Sequence, residues 1–360
     1  MASRTLLAAG LLLAGLARAD DCATRLDAQP VDYACLRQVY SQPSANWPAP
    51  DISPGLAWRE LAPLSAPPAL DERQVELGRQ LFFEPLLSRS GQIACASCHE
   101  PDLAFADGRR VSFGHDRQAG TRNAPSVAMA SHFTNLFWDG RAGSLEQQAL
   151  MPIVDPTEMA FALDPLLQRL RTHRDYPRVF AEAFGHTPID AAQLGRALAT
   201  YQRSLAPRRN ALDHFLLGDS KALSDTQLHG LHLFRGKARC LNCHQGEALS
   251  DDRFHNLGLT YYGRRYEDLG RYRVTGRAED VGAFRTPSLR QVARTGPWMH
   301  NGLFGDLRGI LNMYNAGMFH PLPTAQQKND PLFPKTSPLL EPLRLNAQEL
   351  QALLDFLQAL

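Results

Sequence analysis

The chain has almost no net charge, although charged residues are common in it. Its 38 Lys and Arg residues are balanced by 37 Asp and Glu residues, which leaves a formal charge of +1 over 360 residues. Such a balance gives no general field that would draw the molecule to nucleic acid or to an anionic membrane. We therefore expect no nucleic acid among its partners. The length suits two domains better than one.

Apolar runs long enough to cross a membrane are also lacking. Residues 5–16 form an apolar stretch that is shorter than the roughly 20 residues of a transmembrane helix. The stretch follows Arg4 and precedes the small-residue pattern Ala17-Arg18-Ala19. This order is typical of a signal peptide with its cleavage site. We predict a signal peptide over residues 1–19 and a periplasmic mature protein with no membrane span.

Cysteine is scarce, and its placement is the main signal in the sequence. Four of the six cysteines lie in two Cys-x-x-Cys-His motifs, at residues 95–99 and 240–244. Each motif places two thiols to form thioethers with one haem and supplies the following His as an iron ligand. A split zinc ribbon would need its cysteine pairs about 15–20 residues apart. The motifs therefore predict two covalently bound c-type haems, held by Cys95, Cys98, His99, Cys240, Cys243 and His244.

The remaining two cysteines, Cys22 and Cys35, lie in an N-terminal extension over residues 20–68. An exported protein meets an oxidising compartment, so a disulfide between them is one interpretation. Two unpaired thiols in a mobile extension are the other. Residues 41–68 are rich in Pro and Ser and predict an extended arm that wraps the surface.

An internal repeat suggests how the rest of the chain is organised. A Gly-x-x-Leu-Phe segment precedes each motif, at residues 78–82 and 230–234. Residues 125–145 also align without a gap on residues 287–307. We predict a mainly α fold of two related cytochrome c-like haem domains, over residues 69–210 and 211–360. Helix caps are expected at Ser224 with Gln227, Asp190, and Asn346 with Glu349.

The repeat also exposes a difference between the two haem sites. A short helix after Leu307 carries Met313 and Tyr314, and either side chain is a candidate axial ligand. They lie about 100° apart on one helix, so both cannot face the iron. The residue that matches Tyr314 in the first repeat is Pro152, which cannot bind iron. Unlike haems suggest that one site binds an oxidant while the other passes electrons.

These residues together resemble the bacterial di-haem cytochrome c peroxidase and MauG superfamily over roughly residues 70–360. The motifs that carry the resemblance are residues 77–83, 114–115, 122–126, 137–142 and 158–159.

The resemblance implies roles for individual residues. The haem on His99 would react with peroxide, and Glu158 would be its acid/base carboxylate beside the amide of Gln148. Trp138 would lie between the haems, and the haem on His244, with Tyr314 as second ligand, would transfer electrons. His115 matches a distal histidine that blocks the resting iron in many of the peroxidases. An inter-domain calcium ion would be bound by Asn123 and by the carbonyls of Thr295 and Pro297.

Three functions follow as alternatives. The first is reduction of hydrogen peroxide to water with electrons from a small cytochrome c or cupredoxin. The second is MauG-like oxidation of residues in a partner protein, which the Tyr at position 314 favours. The third is a pure electron carrier, which would leave Glu158 and Gln148 without a role. A homodimer is compatible with each of them.

Overall fold

The computed structural model describes Cys22 and residues 24–360, so the predicted signal peptide lies outside the described residues. Eleven α-helices and two short strands are found in this part of the chain. The helices are α1 Tyr33–Tyr40, α2 Glu72–Phe82, α3 Leu145–Val154, α4 Leu163–Thr172, α5 Tyr176–Phe184, α6 Ala191–Ser204, α7 Ala211–Leu216, α8 Asp225–Arg235, α9 Tyr272–Thr275, α10 Leu307–Asn315 and α11 Ala347–Gln358. The mainly α prediction is confirmed.

The strands β1 (Phe254–Asn256) and β2 (Ala283–Arg285) pair antiparallel, with Phe254 opposite Arg285. Between the helices the chain runs through long irregular segments with short 3₁₀ turns. No helix within the described residues has both the length and the apolar character that a membrane crossing requires.

Helix starts follow the capping residues that the sequence contains. The Asp190 side chain accepts from the N–H of Gln193 at the start of α6. Ser224 with Gln227 forms a capping box on α8, and Asn346 with Glu349 forms one on α11. Each box satisfies backbone donors that the first turn of a helix leaves free. All three predicted caps are confirmed.

Buried apolar side chains form two clusters, one in each half of the chain. The first involves α2 to α6, and the second involves α7, α8, α10 and α11. In each cluster a glycine lets two helices cross closely. A Cβ on Gly78 would lie 2.0 Å from the Ala197 carbonyl oxygen, and one on Gly230 would lie 2.1 Å from that of Ala352. The same glycine crossing therefore occurs in both halves.

The apolar face of α11 differs in detail from the expected one. The sequence predicts Leu350, Leu353, Leu354 and Leu357 inward. Leu353 and Leu357 are buried, and Leu350 and Leu354 are partly buried against the same cluster, but Ala352 and Phe356 are also buried there. Ala352 and Phe356 lie where α8 crosses α11 over Gly230.

The N-terminal extension is more than a surface wrapping. Cys22 and Cys35 form a disulfide, which brings the chain before α1 against that helix. Leu36, Tyr40 and Trp47 are buried in the second apolar cluster. The Trp47 indole N–H donates to the carbonyl oxygens of Tyr40 and Gln42, at 3.1 and 2.8 Å. The extension thus supplies part of the core of the C-terminal half, because its aromatic and leucine side chains need a buried surface.

Candidate active site

A cavity of about 900 Å³ brings both halves of the chain together around the first motif. The first half of the chain contributes the side chains of the first motif and most of the other lining residues. The second half contributes Arg285, His300 and the segment 266–268. The predicted site residues on its lining are Cys95, Cys98, His99, Asn123, Trp138, Gln148 and Glu158.

The first motif forms a short 3₁₀ turn over Cys95–Ser97 that presents its side chains to this cavity. The Nδ1 atom of His99 lies 3.2 Å from the Phe105 carbonyl oxygen. A ring whose Nδ1–H is donated in this way has Nε2 free for a metal. Burial lowers the pKa of His99, which favours the neutral imidazole that iron binds.

A c-type haem fits this cavity by size, by donor set and by charge. Both thiols and His99 line it. Arg285, a buried residue that is 7% exposed, also lines it, and no carboxylate within the described part of the chain forms an ion pair with its guanidinium. Arg285 donates to the carbonyl oxygens of Phe137 and Thr286 over 3.4 and 3.3 Å. Burial lowers its pKa to about 10, so an anionic group such as a haem carboxylate would stabilise its charge.

Glu158 and Gln148, to which the resemblance gives roles beside the first haem, both line the cavity. Gln148 lies on α3, one turn before Pro152, and the side chains of Gln148 and Pro152 line the cavity. Glu158 follows that helix in a turn, and the Glu158 N–H donates to the Asp155 carbonyl oxygen across this turn. Burial raises the pKa of Glu158 to about 7, and the nearby Asp155 carboxylate contributes to the rise, whereas Arg141 opposes it. A carboxyl group with this pKa can both accept and donate a proton near neutral pH.

His115 lies outside this cavity. Its N–H donates to the Glu158 carbonyl oxygen at 2.7 Å, so its backbone supports the Glu158 turn. Its side chain lines a separate open groove with Arg89 and Asp116, and its Nε2 lies 3.5 Å from the Asp116 carboxylate. The structure therefore does not bring the His115 ring together with His99 and Glu158.

Trp138 lies where the two halves meet. Its indole N–H donates to the Asn123 carbonyl oxygen at 2.9 Å, and its own carbonyl accepts from the Arg285 N–H at 2.8 Å. The neighbouring Arg122 pairs with Asp139 at 2.6 Å and with Asp268 of the second half at 2.6 Å. This buried ion triad joins the halves beside the tryptophan.

The second motif is built like the first. It forms a 3₁₀ turn over Cys240–Asn242, and the Nδ1 of His244 lies 2.9 Å from the Leu249 carbonyl oxygen. Burial lowers the pKa of His244. Burial also raises the pKa of Tyr314 on α10, and the proximity of Cys243 and then Cys240 raises it further. The Tyr314 phenol is therefore buried within electrostatic reach of the two thiols of the second motif.

The three residues expected to bind calcium are placed as follows. The Asn123 side-chain amide donates to the Arg109 carbonyl oxygen at 2.9 Å. The Asn123 backbone N–H donates to the His300 carbonyl oxygen at 2.8 Å. Thr295 ends the 3₁₀ turn Val292–Arg294, and Pro297 follows it. Among the described residues, the one cluster of three Cys, His, Asp or Glu side chains with metal-binding spacing is Cys243, Asp251 and His255, near the second motif.

Sequence reasoning missed the residues that act across the two halves. Arg285 reaches the first cavity from β2, and Asp268 pairs with Arg122 from 146 positions away. No local pattern marks such pairs, because their partners are set by the tertiary fold. Asp155 could have been suspected, since it lies three residues before Glu158 and raises the pKa of that carboxyl.

The chain belongs to the di-haem cytochrome c peroxidase and MauG family. The family model described as di-haem cytochrome c peroxidase matches residues 72–221. The methylamine utilization protein MauG of Methylorubrum extorquens is 35% identical over 337 residues, covering 93% of this chain and 86% of that protein. Cytochrome c551 peroxidase of Nitrosomonas europaea is 34% identical over 243 residues, covering 67% of this chain and 72% of that protein.

Solved structures agree with this assignment. A MauG-like protein associated with microbial copper homeostasis superposes with a TM-score of 0.72 at 31% identity, covering 86% of this chain and 95% of that one. The di-haem peroxidase BthA of Burkholderia thailandensis superposes with a TM-score of 0.67 at 25% identity, covering 87% and 93%. The chain is thus an oxidoreductase of a peroxidase family whose members carry two c-type haems.

Proposed function

We propose that the protein is a periplasmic di-haem peroxidase that reduces hydrogen peroxide to water with electrons from a small redox protein. The observation that carries the proposal is the Glu158 carboxyl, which has a pKa of about 7 and faces the same cavity as Cys95, Cys98 and His99. A pure electron carrier would have no use for such a group. The two apolar clusters and the repeated glycine crossing support two haem domains, over residues 69–210 and 211–360.

Different residues of the chain have different roles in the proposed reaction. The haem iron, when bound, supplies the site where peroxide is reduced. Glu158 accepts a proton from one peroxide oxygen and returns it to the other as the O–O bond breaks. Gln148, on the same wall, orients the peroxide through its amide. Two further protons and two electrons complete the balance, which yields two water molecules.

The second haem passes the electrons. His244 and Tyr314 would bind its iron, which the burial of the Tyr314 phenol within electrostatic reach of Cys240 and Cys243 supports. Trp138 carries electrons between the domains from its place at their junction. Asn123 and the carbonyls of Thr295 and Pro297 hold a calcium ion in this proposal, since hard oxygen donors suit calcium.

One observation favours a second candidate function. A phenolate at Tyr314 would stabilise ferric iron, and the similar MauG proteins carry the name of methylamine utilization. The alternative is therefore oxidation of residues in a partner protein, with peroxide as oxidant.

The test is replacement of Glu158 by Gln. The change keeps the size of the side chain but removes proton transfer, so peroxide turnover should fall by roughly 10²–10⁴ while both haem spectra persist. Glu146→Gln is the control, because Glu146 pairs with Arg203 outside the cavity. Wild-type turnover in Glu158→Gln would remove this residue from the reaction. Mass spectrometry of a co-expressed partner protein after peroxide treatment would separate the two candidate functions.

A further inference from the structure

The segment 51–59 of the N-terminal extension is fixed to the second haem motif, and we call it the strap. The Asn242 side chain, between the two motif cysteines, accepts from the Ser53 N–H at 2.8 Å and donates to the Asp51 carbonyl oxygen at 2.9 Å. The Gln245 side chain, next to His244, accepts from the Arg59 N–H at 2.8 Å. Asn242 and Gln245 are both buried, so these bonds hold the strap firmly against the motif.

The first motif has no such cover. Ser97, at the position of Asn242, instead accepts from the N–H of Ala94 within its own turn. Glu100, at the position of Gln245, accepts from the nearby N–H of Asp102. Within the described residues the strap is therefore a feature of the electron-transfer motif alone.

The strap carries an exposed tryptophan. Trp58 is 40% exposed, whereas Trp47 and Trp138 are each 8% exposed. The next residue, Arg59, lies with its guanidinium against Gly246, two positions after His244. Arg59 is exposed and forms no ion pair within the described part of the chain, since the adjacent Glu60 pairs with Arg235 instead.

We infer that Trp58 is the surface contact through which a small redox protein delivers electrons to the second haem motif. This inference rests on the proposed function and names the entry point for its electrons. Tryptophan combines a large apolar area with an oxidisable indole. The unpaired charge of Arg59 fits a partner whose apolar contact patch is rimmed by carboxylates.

The electron balance of the step is simple. The reduction of each hydrogen peroxide molecule takes two electrons, which pass one after the other through the strap. For each of them, the Trp58 indole loses one electron and its N–H proton passes to solvent. The donor protein then returns one electron to the indole, and solvent returns the proton.

The experiment compares Trp58→Phe, Trp58→Ala and Arg59→Gln in the haem-loaded enzyme, with a reduced soluble cytochrome c and a reduced cupredoxin as probes. Phe319→Leu is the control, because Phe319 is 44% exposed and lies outside the strap. Trp58→Ala should raise KM for the protein donor by about 30-fold, as expected for a central interface tryptophan. Trp58→Phe should keep KM near wild type but lower kcat, because phenylalanine is the poorer relay. Arg59→Gln should raise KM and weaken its dependence on salt.

A second measurement needs no donor. With peroxide alone, oxygen should be added to the Trp58 indole in a mass spectrum, whereas buried Trp47 should stay intact. A wild-type kcat in Trp58→Phe, or an unmodified Trp58 after peroxide, would overturn the inference. If the wild-type protein does not react with peroxide at all, the proposed function fails instead. The docking contact is then judged by binding of the reduced cytochrome c to Trp58→Ala, where unchanged affinity would overturn it too.

Discussion

At the residue scale, the raised pKa of Glu158 leads to a pH prediction. In the proposed reaction the ionised Glu158 carboxylate accepts the proton of peroxide, so turnover should rise with pH through about 7. Asp155→Asn removes a negative charge that raises the pKa of Glu158. The rise of turnover with pH should therefore occur at lower pH in this variant. Arg141→Gln removes a positive charge that lowers this pKa and should move the rise to higher pH. Peroxide turnover across pH in the three proteins checks this, and shifts in one common direction would contradict it.

Tyr314 allows a second test at this scale. If its phenol binds the second iron, Tyr314→Phe should change the spin state and raise the reduction potential of that haem, because a phenolate stabilises the ferric form. Met313→Leu is the matched control, since Met313 is the adjacent candidate on α10. Absorption and electron paramagnetic resonance spectra with a potential titration give the result. The same changes in Met313→Leu, with none in Tyr314→Phe, would show that the ligand is the methionine.

Within the site, the family resemblance was the best guide to which residues lie near the first motif. Glu158, Gln148 and Trp138, whose roles the resemblance implied, all line the cavity that His99 also lines, and their roles there stay predictions. The ring of His115 lines a different groove, although the His115 N–H donates to the Glu158 carbonyl oxygen. Arg285 could not be predicted, since nothing in its own segment shows that it reaches a cavity in the other half.

At the scale of helices, the capping residues and the Gly-x-x-Leu-Phe repeat were informative. The glycine of that repeat marks the crossing of α2 with α6 and of α8 with α11. The sequence did not indicate that the extension belongs to the second apolar cluster. Its Pro-rich composition masks the few aromatic and leucine residues that are buried there.

The glycine crossing gives a prediction about stability. In Gly78→Ala the added Cβ would lie 2.0 Å from backbone, which cannot move away cheaply, so α2 and α6 must separate. Overpacking of this kind typically destabilises by about 1–3 kcal/mol, and the backbone contact places this case near the upper end. Gly230→Ala should act in the same way on the C-terminal half.

Calorimetry with absorption of both haems measures the effect. Gly143→Ala is the control, because a Cβ at Gly143 meets nothing within 4 Å. If Gly78→Ala melts like Gly143→Ala, the close crossing is absent in solution.

At the scale of the whole molecule, an ion triad holds the two halves together. Arg122 joins Asp139 of the first half to Asp268 of the second, and the ion triad is largely buried. Removing one partner of such a triad leaves a buried charge, which is strongly destabilising. Trp138 lies at this junction, where its indole N–H donates to the Asn123 carbonyl oxygen.

Trp138→Phe tests whether this junction carries electrons. The change keeps most of the apolar area but loses the indole and its bond to the Asn123 carbonyl oxygen. Peroxide should still react at the first site at the wild-type rate, because Glu158 and Gln148 are untouched. Electron delivery from the second site should slow strongly, because phenylalanine is a poor relay.

Trp298→Phe is the matched control, since Trp298 donates to the Val292 carbonyl oxygen away from the cavity. Rapid mixing with peroxide, followed at the absorption bands of both haems, separates the two steps. Equal rates in Trp138→Phe and Trp298→Phe would mean that the tryptophan only packs the junction, and that electrons cross by another route.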